Sequence, residues 1–267
     1  MADAALATAL AARALDWIVP RWDAPARVHA LMTTRNGGAS CGNEASLDVG
    51  GAHFQRDAAD PLAVAENRRR IETLLPTAPV WLEQVHGRGV IAIDAANVDL
   101  LRASPPRADA LVTRCNDVVL AIRVADCVPV LFAARDADPV IGAAHAGWRG
   151  LAGGVLEATL AAMAAPPASV VAWVGPAIGA NAFEVGHDVV DAFCAGDPGA
   201  HAHFVARTGG KFLADLHALA RRRLRRAGVV DVHADDSCTF ADAARFFSFR
   251  RDGATGRMAA LIWQAGP

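Results

Sequence analysis

The 267-residue chain has a single lysine, Lys211, no tyrosine at all, and a net charge of only −2. Without a net positive field it has no electrostatic means of gathering nucleic acid or an anionic membrane surface. The run Arg221-Arg222-Arg223-Leu224-Arg225-Arg226 reads instead as the solvated face of a helix buried through Leu216, Leu219 and Leu224. The near-absence of lysine, beside abundant arginine and alanine, reflects composition bias and says little about function. No apolar run reaches the length of a membrane span, because Arg123 and Asp126 interrupt the best candidate. The alanine-rich start, Met1 to Pro20, lacks a basic opening, and Asp3 and Arg13 interrupt it. It reads as a short surface helix rather than an export signal. A cytoplasmic protein is expected.

A disulfide framework is also missing. The five cysteines, Cys41, Cys115, Cys127, Cys194 and Cys238, are odd in number and irregularly spaced. Nor is there a glycine-rich fingerprint of the dinucleotide or P-loop kind. What is present is an ordinary globular composition, 53% hydrophobic and 20% charged, on a chain long enough for a sizeable core. No repeat or low-complexity linker divides it. The expectation is a single catalytic domain over residues 1–267, with residues 1–25 as an N-terminal helical extension.

Strand signals dominate. Val28 to Met32, Val80 to Gln84, Val90 to Ile93, Ala110 to Thr113, Val118 to Val124, Val128 to Ala133, Val140 to Ala144 and Val170 to Val174 are Val/Ile/Leu-rich runs of strand length. Val229 to Val232, Phe246 to Phe249 and Met258 to Trp263 complete the set. Helices are expected over Val64 to Leu75, Gly150 to Ala165, Val189 to Phe193 and Phe212 to Ala227, the last stopped by Gly228. Strands outnumber helices and do not alternate strictly with them. The expected class is α+β, with mixed β-sheets packed together and helices on the outside, a layered α/β/β/α arrangement.

Three polar residues interrupt apolar strands at turns: His86 in Gln84-Val85-His86-Gly87, Cys127 in Ala125-Asp126-Cys127-Val128-Pro129, and His145 in His145-Ala146-Gly147-Trp148-Arg149-Gly150. Burying a polar group without a partner costs about 1–3 kcal/mol on protein scales, so three interruptions invite one explanation. Two imidazoles and a thiolate suit Zn²⁺, with Cu²⁺ the alternative. Three protein ligands leave a fourth position open, as a catalytic site requires. The gaps between the three residues are too long for a zinc finger and fit ligands gathered from separate strands. Taken singly, each histidine also reads as a hydrogen-bonded core residue, and Cys127 as inert packing.

These motifs, with Ala108-Asp109-Ala110-Leu111-Val112-Thr113, Gly175-Pro176-Ala177-Ile178-Gly179 and Phe246-Phe247-Ser248-Phe249-Arg250-Arg251, occur in the order of one family. From about Val28 to Trp263 the chain resembles the bacterial multicopper polyphenol oxidase (laccase-like) family, also described as the purine nucleoside phosphorylase or peptidoglycan editing factor family. The resemblance implies zinc at His86, Cys127 and His145, and phosphorolysis of adenosine, inosine and methylthioadenosine with adenosine deamination. Two departures stand out. Asp48 occupies the place of an asparagine, and Phe249 that of a tyrosine, which removes a hydroxyl that could touch substrate.

Phosphate has to reach C1′ as the glycosidic bond breaks, and arginine suits that task through its bidentate fork. Arg149 is the first candidate and Arg35 the second; either also reads as a structural ion pair. Asp126 is a candidate acid–base group or a support for a metal ligand. The partners expected are purine nucleosides and phosphate, on a monomer. Other readings are a copper-dependent polyphenol oxidase, a cysteine hydrolase using Cys127 with His145 or His86 as base, and a binding or editing role toward cell-wall precursors. The oxidase reading is weakened because His201-Ala202-His203 is the one His-x-His pair in the chain.

Overall fold

Continuous apolar runs in the middle of the chain become strands covered on both faces, as such runs require; every residue of Val128–Ala134 is buried. The computed structural model describes residues 2–51, 60–136 and 139–266. In chain order its elements are α1 (Ala2–Ala12), β1 (Val28–Met32), α2 (Pro61–Glu72), β2 (Val90–Ile93), α3 (Val98–Ala103), β3 (Ala110–Thr113) and β4 (Leu120–Val124). Then come β5 (Val128–Ala134), β6 (Ile141–Ala146), α4 (Trp148–Gly153), α5 (Val155–Met163), β7 (Val170–Val174), β8 (Glu184–Val185) and α6 (His187–Cys194). The chain closes with β9 (Phe204–Ala206), β10 (Phe212–Ala214), α7 (Leu216–Arg226), β11 (Asp231–Ala234), α8 (Phe249–Asp252) and β12 (Met258–Gln264).

The largest sheet has the order β11-β7-β5-β6-β3-β2. Its outermost pairs are parallel and the pairs between them antiparallel. A second sheet, β1-β12-β4, is antiparallel throughout. A small third sheet orders β8-β10-β9. Strand alternation sorts the core into layers. In β5, Val128, Val130 and Phe132 pack under helices α5, α6 and α7, while Leu131 and Ala133 point at the second sheet. In β12, Ala260 and Ile262 meet that inner layer. Ala259 and Leu261 face outward, beneath Leu6 and Leu10 of α1 and Ile71 of α2. The layering is the expected α/β/β/α of an α+β fold.

The differences from the sequence reading have local causes. The stretch Gly150 to Ala165 is two helices, because Gly154 sits at φ 94 between α4 and α5. Phe212–Ala214 pairs as a strand with β8 and β9, and α7 starts only after Asp215, whose carboxylate accepts from Ala218 N at 2.8 Å. Phe246 to Phe249 is not a strand: Phe246 and Phe247 are core residues, and Ser248 caps α8 through Arg251 N. The segment 80–84 is extended but is not a ladder strand of either sheet; its backbone makes isolated bridges, Val80 with Leu120 of β4 and Glu83 with Arg107. Within the N-terminal extension only α1 is helical; Ile18 beyond it pairs with Met32 through two 2.8 Å hydrogen bonds.

Candidate metal centre and its cavity

His86, Cys127 and His145 converge. Their ligand atoms lie within 4.8 Å of one another, and the two imidazoles meet edge to face at 4.8 Å and 80°. Cys127 Sγ is 3.9 Å from His86 Nε2. Each ligand comes from a different piece of chain. His145 is buried in β6, Cys127 is partly exposed between β4 and β5, and His86 is exposed on the turn before β2.

The residue that gathers them is Asp109, fully buried at the start of β3. One carboxylate oxygen accepts from His86 N and His145 Nδ1, both at 2.9 Å. The other accepts from Gly87 N at 2.7 Å and Val85 N at 3.3 Å. These bonds hold His86 at φ 58, a conformation that a residue with a Cβ seldom adopts unaided. They also occupy His145 Nδ1, leaving its other ring nitrogen for the site, the arrangement that fixes tautomer and orientation in metal-binding histidines.

The charges reinforce one another. Burial works against the Asp109 carboxylate, but the bonds from His145 and the turn amides hold its pKa below the ordinary range. Burial pushes the Cys127 thiol up; the adjoining His145 charge and the contacts with both histidines outweigh it and bring the thiol below its usual value. His145 is raised correspondingly, against its burial, by Cys127 and Asp109. The sulfur is therefore disposed to be a thiolate, the form that ligates metals.

The donor set fits one borderline-soft ion with an open position, and the backbone is shaped to admit it. A Cβ on Gly147 would stand 2.8 Å from His86 Cδ2 and 3.0 Å from Cys127 Sγ. A Cβ on Gly150 would stand 2.6 Å from the Gly87 carbonyl oxygen, so that glycine lets α4 abut the His86 turn.

The three side chains line a cavity of about 720 Å³, a volume ordinary for a small-molecule site. Arg107, Arg123, Arg149, Arg250 and Arg257 line it against Glu83 and Asp126, so its charge favours an anion. Phe183 and the half-exposed Phe249 supply aromatic surface. Arg149 is exposed, with its guanidinium 4.3 Å over the Trp148 ring. Arg107 pairs with Glu83 at 3.2 Å, and Arg250 donates to the Glu184 carbonyl at 2.9 Å.

Two sequence candidates look different in place. Arg35 is not among the residues lining this cavity. Its guanidinium donates to the carbonyls of Ala45 at 2.8 Å and Ala243 at 3.0 Å and lies over Phe247, which makes it a clamp on the turn-rich segment 33–42. Asp126 is buried at φ 92, and both its oxygens are engaged, by Thr239 Oγ1 at 2.6 Å and Arg250 N at 2.7 Å. It ties the Cys127 turn to α8, which carries Phe249. Asp109, Arg250 and Arg257 were not singled out from sequence as site residues, whereas Phe249 was noted only for the hydroxyl it lacks. An acid directly before a buried strand was the available signal for Asp109.

The architecture thus defines an α+β protein whose buried carboxylate organises a His–Cys–His group, able to hold a metal ion, on the wall of a cationic cavity. Residues 29–265 match the family described as multi-copper polyphenol oxidoreductase laccase, and the chain belongs to that family. It is 48% identical over 248 residues to a purine nucleoside phosphorylase of Pseudomonas aeruginosa, covering 92% of this chain and 98% of that one. It is 46% identical, with the same coverage, to the purine nucleoside phosphorylase YfiH of Escherichia coli. A crystal structure of a Neisseria meningitidis protein superposes with a TM-score of 0.86 at 47% identity, over 94% of this chain and all of that one.

Proposed function

We propose that this chain is a zinc-dependent purine nucleoside phosphorylase that works as one catalytic domain, with the ion held by His86, Cys127 and His145. The observation that carries the reading is the convergence of these three donors, organised by Asp109, on a cavity rich in arginine. The names of relatives nearly half identical over almost their whole length support it. When bound, the ion supplies Lewis acidity at the reacting end of the nucleoside.

The chain's own residues divide the remaining work. Arg149, exposed at the cavity, holds phosphate beside C1′. Phe249 gives the purine a face to stack on, and Arg257, whose guanidinium lies 6.0 Å from that ring, backs it. A phosphate oxygen bonds to C1′ as the C1′–N9 bond breaks; the purine leaves with that electron pair and takes up a proton. The products are the free base and ribose 1-phosphate, or 5-methylthioribose 1-phosphate where methylthioadenosine is the substrate. Adenosine, inosine and methylthioadenosine are the proposed substrates, with adenosine deamination as a second activity of the same site. The protein is proposed to act as a cytoplasmic monomer; no helix among the described residues is long and apolar enough to cross a membrane.

A copper oxidase of the multi-centre kind receives little support. Among the described residues the other group of metal-competent side chains is Asp23, Asp231 and His233, and the His201-Ala202-His203 pair belongs to neither group.

Elemental analysis paired with an adenosine assay, run with and without phosphate, tests the proposal. About one zinc per chain, with ribose 1-phosphate formed only when phosphate is present, is the expected result. Cys127→Ala is expected to lose both metal and turnover while staying folded. A metal-free Cys127→Ala protein with undiminished turnover overturns the zinc mechanism and favours the editing or binding role.

A further inference from the structure

Asp109 ties the His86 turn to His145, but it does not touch Cys127. A second clamp connects the His86 segment with β4. The β4 strand, which leads into the Cys127 turn, pairs with β12 along one edge only. Its other edge is met by segment 80–84. At the far end the contact is between backbones: Val80 N donates to Val119 O at 2.8 Å, and Ala121 N donates to Val80 O at 3.2 Å. At the end nearest the site a side chain takes over. Gln84 Nε2 donates to Arg123 O at 2.8 Å, and Arg123 N donates to Gln84 Oε1 at 2.8 Å. The primary amide thereby satisfies both main-chain groups of one residue, as a neighbouring strand would. Arg123 returns the contact, its guanidinium donating to Leu82 O at 2.5 Å.

We infer that Gln84 is a positioning residue, whose carboxamide sets the spacing between His86 and Cys127 by locking the His86 segment onto the strand that delivers the cysteine. The arithmetic of the chain supports this. His86 is two residues beyond Gln84, and Cys127 is four beyond Arg123. Each ligand is thus linked to the amide by a short, turn-bound stretch. A group that both donates and accepts is required: a carboxylate of the same length accepts from Arg123 N but faces Arg123 O with no proton to give. The inference rests on the metal reading of the site, since it concerns how two of its donors are held.

The test compares Gln84→Ala and Gln84→Glu with wild type, and with Leu6→Ala, a core truncation beneath α1 that lies outside the cavity lining. Zinc affinity is measured with a competing chelator. Each protein is also loaded with Co²⁺ alone, and the thiolate-to-cobalt charge-transfer band is recorded well below the unfolding temperature. Both Gln84 variants are expected to bind zinc about 10–100-fold more weakly, with a weakened and shifted cobalt–thiolate band, and to lose kcat more than they raise KM. Leu6→Ala is expected to lower Tm and leave the band alone. If the Gln84 variants lose thermal stability but keep wild-type zinc affinity and an unaltered band, Gln84 merely stabilises the fold and the inference is wrong. Wild-type protein that takes up neither zinc nor cobalt would overturn the metal reading itself and this inference with it.

Discussion

Asp109→Asn probes the organisation of the site most directly. The fully buried carboxylate accepts four hydrogen bonds, two at each oxygen. Asparagine keeps one oxygen and replaces the other with a donor. If the remaining oxygen stays with His86 N and His145 Nδ1, the new NH₂ faces the N–H groups of Gly87 and Val85. The Gly87 bond at 2.7 Å is the one most fully lost. Each buried donor left unsatisfied costs about 1–3 kcal/mol. With partial relaxation the total is about 3 kcal/mol, and at about 2–4 °C per kcal/mol for a chain of this size Tm falls by about 6–12 °C. The His86 turn, released from its anchor, then holds zinc about 10–100-fold more weakly. The pH dependence follows from the depressed carboxyl. Its contribution is present above the unfolded value near 3.8 and is lost as pH falls through the lower folded value. The stability gap between wild type and variant therefore narrows in acid, and it also shrinks as pH rises above the ordinary histidine value of 6.5, because Asp109 is among the groups that raise His145. Calorimetry against pH and chelator competition measure the two effects. A variant with wild-type Tm and wild-type zinc affinity at pH 7 would refute the organising role.

Three further outcomes follow from particular contacts. Gly147→Ala forces a Cβ to within 2.8 Å of His86 and 3.0 Å of Cys127, whereas Gly153→Ala meets open space. The first is expected to cut zinc occupancy in elemental analysis, and the second to leave it unchanged and match or raise Tm. Phe249→Ala is expected to raise KM for adenosine about 2–10-fold, the worth of one aromatic contact, while Phe249→Tyr retains the wild-type KM; initial-rate kinetics decide. Asp197 accepts from Arg222 through both oxygens and also pairs with Arg226, and these bonds lower its pKa to about 2 from 3.8. Its contribution is present above the unfolded value and lost as pH falls through about 2, so Asp197→Asn should destabilise at pH 7 and match wild type near pH 2 in urea titrations.

Local chemistry carried much of this into the sequence. The runs that became β3, β5, β7 and β12 were readable because burial on both faces demands nearly unbroken apolar residues. His86, Cys127 and His145 were readable because each breaks an apolar strand and because their motifs follow one family's order. Segments whose local propensity misled were those decided elsewhere. Phe212–Ala214 continues a helical pattern but is claimed by the edges of β8 and β9. Phe246 and Phe247 have strand composition but serve as core plugs ahead of a Ser248 cap.

What no local pattern contained was the partnership of residues far apart in the chain. Arg35 and Arg149 are equally plausible phosphate ligands on paper. Folding commits Arg35 to the carbonyls of nearby Ala45 and distant Ala243 and places Arg149 on the cavity. Asp126 stands beside a ligand in sequence, yet its oxygens are spent on Thr239 and Arg250, more than a hundred residues away. Asp109 and Gln84 act through backbone N–H and C=O groups, which every residue possesses and no composition reveals. Residue chemistry alone marks which side chains can bind a metal and which stretches must be buried. Which of them meet is a matter of packing, because a hydrogen bond depends on distance and direction in space, and those are products of how the two sheets pack.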